Sequence, residues 1–273
     1  MRTLIHVSDL HFGKIDHKIA NHMVKTFVNI KPDMVVVSGD LTQRAKVGQF
    51  LSARTFLNNF KKEGIKYFVV PGNHDVEPFT KPFDRIFRPF RTYKKYISED
   101  LEPIYYDDEI AIAGINTARA SNLKKGNINL EQMEKVTEWF KTLSRDITKI
   151  IVTHHPLDLP TQYKTKKIIH KADKIIKHFS AQSIDVYLSG HYHRSSIITT
   201  AERYGLKNYS AIAVQAGTIS TRSRGEMPSF NVLTIEKEAI KINTYLWNSD
   251  DKDFVVSSTN QYKLSKGVWK VIG

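Results

Sequence analysis

The chain has 273 residues and carries 41 Lys and Arg against 28 Asp and Glu, a formal net charge of +13. Its 41% hydrophobic and 11% aromatic residues suffice for a buried core, which excludes disordered and collagen-like classes, and its length fits one large domain. It holds no cysteine, which excludes disulfides, iron–sulfur clusters, cysteine-ligated zinc and thiol catalysis.

From the start of the chain, a short apolar run leads straight to Asp9, too brief for a signal peptide. Nor do 18 apolar residues follow one another anywhere. With the absence of cysteine, this predicts a soluble cytoplasmic protein. Runs rich in β-branched residues predict strands at 3–7, 34–38, 66–70, 110–115, 149–153, 185–188 and 211–214. Helical periodicity covers 16–30, 47–62, 130–143 and 170–179. Around the last of these, Ile168, Ala172, Ile175, Ile176 and Phe179 share one face, while Lys167, Lys171, Lys174 and Lys177 point elsewhere. Residues 229–235 and 240–247 read as a hairpin or meander. The alternation predicts an α/β layered fold, and no linker or repeat divides residues 1–273.

Metal-competent side chains gather directly after the predicted strands: Asp9 and His11, Asp40, Asn73 and His74, His154 and His155, His191 and His193. In layered α/β folds ligands bind outside the carboxyl ends of strands, so these loops can converge. Asp9, His11, Asp40, Asn73, His154, His191 and His193 are too many ligands for one ion of four to six donors, and they suit two ions bridged by a carboxylate. Imidazole and hard oxygen without sulfur favour Mn, Fe, Zn, Co or Ni. Two such ions about 3.5–4 Å apart clamp a phosphoryl group and generate a hydroxide nucleophile near neutral pH.

His74, its backbone fixed by Asn73, is placed to reach a phosphate oxygen or the leaving group, with Asp75 expected to orient its ring. Arg119, in Asn116-Thr117-Ala118-Arg119, is expected to bind a substrate phosphate. Residues 218–225 form a polar, basic stretch, including Arg222, Ser223 and Arg224, that receives no role. Of the other histidines, His6 is expected in the core or at a strand edge, and His17, His22, His170 and His178 on polar faces. In segment 81–96, Phe83, Phe87 and Phe90 have helical spacing among Lys81, Arg85, Arg88, Arg91, Lys94 and Lys95. The favoured reading packs the aromatic stripe on the core with solvated cations behind it. The alternative is a basic-aromatic surface for nucleotides, nucleic acid or lipid headgroups.

The blocks Asp9-x-His11, Gly39-Asp40, Gly72-Asn73-His74-Asp75, Thr153-His154-His155-Pro156 and Gly190-His191-Tyr192-His193 together resemble the calcineurin-like metallophosphoesterase family, in that family's order and across positions 9–193. The resemblance implies an α/β four-layer sandwich of two mixed β-sheets flanked by helices, with a dinuclear site at its edge. It implies that Asp9, His11, Asp40 and His193 hold one metal (Mn, Fe or Zn) and that Asp40, Asn73, His154 and His191 hold the other, Asp40 bridging. His154 is then the ligand of the His-His pair, and His155 is left to the substrate side. Within the family the spacing resembles the bacterial class III cyclic-nucleotide phosphodiesterase branch, so a small phosphodiester or nucleotide is the expected substrate, 3′,5′-cyclic AMP first. A lipid-linked nucleotide pyrophosphate of the UDP-diacylglucosamine type is the rival substrate. The basic charge adds a nuclease, or peripheral contact with an anionic membrane or nucleic acid, and a catalytically silent metal-scaffolded interaction protein is the remaining reading.

Overall fold

The computed structural model describes residues 1–121, 124–163, 168–222 and 224–272. β1 (Arg2–Val7), β2 (Met34–Val37) and β3 (Lys66–Val69) are parallel, joined through α1 (His17–Ile30) and α2 (Val47–Lys62). α1 begins where the Asp16 carboxylate accepts from the backbone N–H groups of Lys18 and Ile19, which satisfies two donors of the first turn. β10 (Ser229–Glu236), β11 (Ala239–Asn248), β12 (Asp253–Ser265) and β13 (Val268–Val271) extend this sheet antiparallel from β1, in the order β13-β12-β11-β10-β1-β2-β3. A second sheet is built on β5 (Ile110–Ile115), β6 (Thr148–Thr153), β7 (Val186–Ser189) and β9 (Ile212–Gln215), all parallel. Antiparallel edges β4 (Ile104–Tyr106) and β8 (Ser196–Thr199) complete the order β4-β5-β6-β7-β9-β8.

The continuous apolar runs follow from burial on both faces. Leu4, Val36, Phe68, Ile112, Val152 and Leu188 meet in the core shared by both sheets. Their neighbours Ile5, Val35 and Val37 turn outward onto Phe27 of α1 and Phe50 and Phe60 of α2. Ala113 and Ile151 turn outward onto the layer of α5 (Leu130–Lys141) and α6 (Ala172–Ser180), meeting Phe140, Ile176 and Phe179. The result is the expected sandwich of two mixed sheets between helical layers.

The predicted strands and long helices form within a few residues of their expected bounds, and the 229–247 hairpin is present. Ile168, Ala172, Ile175, Ile176 and Phe179 are buried and Lys171, Lys174 and Lys177 exposed, although α6 itself starts only at Ala172; Lys167 lies outside the described residues. His6 is buried and His17 and His170 are exposed, but His22 packs edge-on against Trp247 and His178 bonds Thr137 Oγ1. One packing expectation is overturned. In α3 (Pro82–Phe87) Phe83 and Phe87 face solvent, and of the stripe only Phe90 is buried, just before α4 (Arg91–Tyr96). Arg85 takes the inward side instead: its Nη1 donates to Glu77 O and its Nη2 to Ala120 O, both at 2.6 Å. Among the described residues no helix is long and apolar enough to cross a membrane.

Candidate metal centre

Five parallel strands end at one edge of the sandwich, and the loops that leave them carry the candidate ligands: Asp9 and His11 after β1, Asp40 after β2, Asn73 after β3, His154 after β6, His191 and His193 after β7. His191 is half-buried and the other six are buried. Asp9, His11, Asp40, His191 and His193 all have left-handed backbones, with φ of 53°, 44°, 52°, 72° and 56°. Each such conformation in a residue with a side chain costs about 1–3 kcal/mol and persists only where the surroundings impose it. Two glycines let the loops close. A Cβ on Gly190 would stand 1.7 Å from Ser8 Oγ and 2.5 Å from Asp9 Oδ2, and one on Gly72 2.2 Å from Asp40 N.

Donors bound about 2.1 Å from one ion, at the angles of tetrahedral or octahedral sites, lie about 3.0–3.4 Å apart. The seven side chains resolve into two groups at or slightly beyond such spacings. In the first, His193 Nε2 is 3.1 Å from Asp9 Oδ1 and 3.1 Å from His11 Nε2, which lies 3.6 Å from Asp9 Oδ1 and 3.7 Å from Asp40 Oδ2. In the second, Asn73 Oδ1 is 3.0 Å from both His154 Nε2 and His191 Nδ1, those nitrogens are 3.3 Å apart, and His154 Nε2 is 3.4 Å from Asp40 Oδ2. Asp40 Oδ2 belongs to both groups.

The ring tautomers fit metal binding. His154 Nδ1 donates to Ser38 O at 2.9 Å, His193 Nδ1 to Arg222 O at 2.8 Å, and His11 Nδ1 to Thr42 O at 3.3 Å. Each Nε2 is thereby left as a lone pair aimed into the cluster. The Nε2 atoms of His11 and His193 stand 3.1 Å apart, close enough to share one cation. Asp9 Oδ1 is buried and accepts no hydrogen bond, while Asp9 Oδ2 accepts from His191 N at 2.8 Å. A buried oxygen of this kind is satisfied by a cation.

In protein stripped of metal these groups hold each other's charge. Burial drives the Asp9 and Asp40 carboxyls up, but the surrounding imidazoles outweigh it and hold both well below the usual carboxylate range. For His154 burial works downward, and Asp40 and Asp9 outweigh it, so its ring is pushed up to about 9. Burial and the charge of His154 lower His191 to about 4. A ligand must shed its proton before it binds metal. Loading stripped protein with Mn at pH 7.5 is therefore expected to release protons, that of His154 first among them, with affinity weakening as pH falls below 9. Calorimetry in buffers of different ionisation enthalpy measures this, and proton-neutral uptake would show that His154 is not displaced from its proton.

The half-buried His74 closes one side of the cluster, its ring 4.9 Å from that of His11. Its backbone N–H donates to Asp40 Oδ1 at 2.8 Å, which ties it to the bridging carboxylate. The expected Asp75 contact does not form. Asp75 sits on the short turn Asn73–Asp75, and its carboxylate points back to accept from Leu41 N, Thr42 N, Thr42 Oγ1 and Gly72 N, knitting the Asp40 and Asn73 loops together. Burial, together with the charge of Asp40, pushes its carboxyl up to about 6. The partner of His74 Nδ1 is instead Gln43 O at 2.8 Å, and its Nε2 receives Arg222 Nη1 at 3.1 Å. Arg222 stands on the loop after β9, which Thr218 Oγ1 fastens to Asp9 O at 2.7 Å; Ser223 lies outside the described residues.

The two residues expected to contact substrate, His155 and Arg119, both have partners within the protein. His155 is 1% exposed, meets Thr117 Oγ1 through Nδ1 at 2.9 Å, and lays its ring 4.4 Å from that of His191. It comes within 4.8 Å of the His154 and His191 donors, so it stands at the edge of the ligand set rather than at a substrate surface. Arg119 gives Nη1 to Asn116 O and Ala118 O and Nη2 to Gln132 Oε1, so both terminal nitrogens join β5 to α5.

Residues 2–195 match the family model described as calcineurin-like phosphoesterase, and the chain belongs to that family. It is 22% identical to the "Uncharacterized metallophosphoesterase-like protein YydB" of Bacillus subtilis, in an alignment covering 96% of this chain and 63% of that protein. It is 23% identical to the "Probable cyclic nucleotide phosphodiesterase" of Ruthia magnifica, over 71% of this chain and 79% of that one. Among solved structures, purple acid phosphatase PPD1 from yellow lupin shares the fold with a TM-score of 0.70 at 14% identity, over 94% of this chain and 53% of the lupin chain. The chain thus spans less than two thirds of the length of the Bacillus protein and of the lupin phosphatase.

Proposed function

We propose that the chain is a metal-dependent phosphoesterase acting on phosphodiesters, 3′,5′-cyclic nucleotides first among them. The observation that carries this reading is the pair of donor groups joined through Asp40 Oδ2 with His74 beside them. Two transition-metal ions held there supply Lewis acidity toward phosphoryl oxygens and an activated water at neutral pH. The chain's own residues do the rest. Asp40 and Asn73 fix the backbone of His74, and Gln43 O holds Nδ1–H, so Nε2 faces the site; once Arg222 turns from Nε2 to the bound phosphoryl group, Nε2 takes up a proton from solvent, and the resulting imidazolium gives that proton to the leaving oxygen. Arg222, already 3.1 Å from that nitrogen, donates to a phosphoryl oxygen placed between the two. The preference for diesters draws on the likeness to the Ruthia protein.

The test is a substrate panel on Mn-loaded protein: bis-p-nitrophenyl phosphate, p-nitrophenyl phosphate, cyclic AMP, a UDP-linked lipid and single-stranded DNA. The expected result is a kcat/KM for diesters at least about tenfold above that for the monoester, a difference in transition-state binding of about 1.4 kcal/mol. Faster monoester hydrolysis would refute the diester reading, and cleavage of the lipid or DNA alone would move the substrate class.

A further inference from the structure

The reaction leaves one part of the molecule unused. Just past the His74 turn, Phe79, Phe83, Ile86 and Phe87 are 73%, 63%, 68% and 68% exposed. Single exposed apolar side chains are ordinary on protein surfaces, but four large ones within nine residues mark a contact site. They are firmly mounted. Arg85, buried beneath them on Glu77 O and Ala120 O, lies 3.8 Å from the centre of the Phe79 ring. Arg88 covers Phe83 at 5.6 Å, and the Phe83 and Phe87 rings pack on each other at 4.8 Å.

Residues 77–102 hold six Lys and Arg and five acids, but the charges separate: Asp84 pairs with Arg88 and Arg91 and Glu77 with Lys81, Glu99, Asp100 and Glu102 follow α4, and the cations beside the apolar patch on α4 are Lys94 and Lys95. Lys94 and Lys95 are exposed. Beside the patch lies a groove of about 690 Å³, to which Phe87, Phe90 and Leu101 give an apolar side and Arg88, Lys94 and Lys95 a basic one, with Glu99 among them.

We propose that this face docks the protein on an anionic lipid membrane. Phe79, Phe83, Ile86 and Phe87 enter the boundary between headgroups and acyl chains, while Lys94 and Lys95 bind acidic headgroups beside them. An apolar tip flanked by cations is the pattern of interfacial binding, in which buried apolar area and attraction to acidic lipid add. Nucleic acid fits less well, since Ile86 offers no stacking face and Phe83 and Phe87 are packed on each other rather than spaced as platforms. A protein partner fits less well too, because lysine is depleted in protein interfaces. Phe79 follows His74 by five residues, at most about 19 Å of chain, so a docked molecule holds its metal centre close to the membrane.

Co-sedimentation tests this with vesicles of phosphatidylcholine alone and with vesicles containing about one third phosphatidylglycerol. Wild-type protein is expected to sediment with the anionic vesicles only, and several-fold less at about 0.5 M than at about 0.1 M salt. F83S/F87S and K94E/K95E should each lower the partition coefficient by about tenfold or more. All four positions are exposed, so far-UV circular dichroism and melting temperature should match wild type. Failure to sediment, equal sedimentation with neutral vesicles, or unaltered sedimentation of both variants would overturn the proposal. So would a dimer, or binding to a DNA fragment, that F83S/F87S abolishes while vesicle binding is absent. None of these readouts depends on catalysis, so the substrate panel and this test fail separately.

Discussion

Asp40→Ala is expected to lose both metal ions and, with them, turnover by about 10⁴-fold or more. The size of the effect follows from what one side chain does. Oδ2 lies 3.7 Å from His11 Nε2 and 3.4 Å from His154 Nε2, so it belongs to both donor groups. Oδ1 accepts the backbone N–H of His74 at 2.8 Å, so the same carboxylate positions the proton-carrying ring. Removing it takes one anionic donor from each ion, removes the bridge and releases the His74 turn. Elemental analysis after dialysis is expected to find well under one metal per chain. Asp40→Asn keeps the shape and the acceptor for His74 N while deleting the charge, and should lose metal nearly as completely. Full metal content in either variant would remove Asp40 from the bridge.

The convergence of the candidate ligands was legible in the sequence for a physical reason. Parallel strands buried on both faces read as unbroken apolar runs, so the polar residues that end them stand out, and those ends share one edge of the sandwich. What was not legible depends on contacts that spacing does not encode. Gln43 acts through its backbone carbonyl, which any residue could supply. Arg222 meets His74 across 148 positions, and although its basic stretch after a strand drew notice, nothing local said where that loop returns. The adjacency of His74 and Asp75 suggested a pair, but the turn that holds Asn73 sends the carboxylate toward Leu41 and Thr42. In α3 periodicity identified a stripe without telling which side the sheet covers, and the guanidinium of Arg85 found two backbone carbonyls that the phenylalanines could not use. β12 escaped because it is mostly exposed, with Phe254 and Tyr262 buried along its length.

His74→Ala provides the sharper test of chemistry, because it should leave the metals in place. No donor of either metal group lies on the His74 ring, whose Nδ1 is held by Gln43 O and whose Nε2 faces Arg222. Metal content is therefore expected to stay near two per chain, while turnover falls by about 10²–10⁴-fold, the range for loss of a positioned proton donor. The substrate should set where in that range the loss falls. A p-nitrophenolate departs without help, whereas the ribose oxygen of a cyclic nucleotide needs a proton as its bond to phosphorus breaks. The loss should accordingly be much larger on cyclic AMP than on bis-p-nitrophenyl phosphate. An equal loss on both substrates would assign His74 to charge stabilisation of the phosphoryl oxygens rather than to proton delivery, and an unchanged rate with intact metals would take it out of the reaction. Arg222→Ala separates the two neighbours: it should raise KM through the lost phosphoryl contact on both substrates alike, without the larger loss on cyclic AMP that His74→Ala produces.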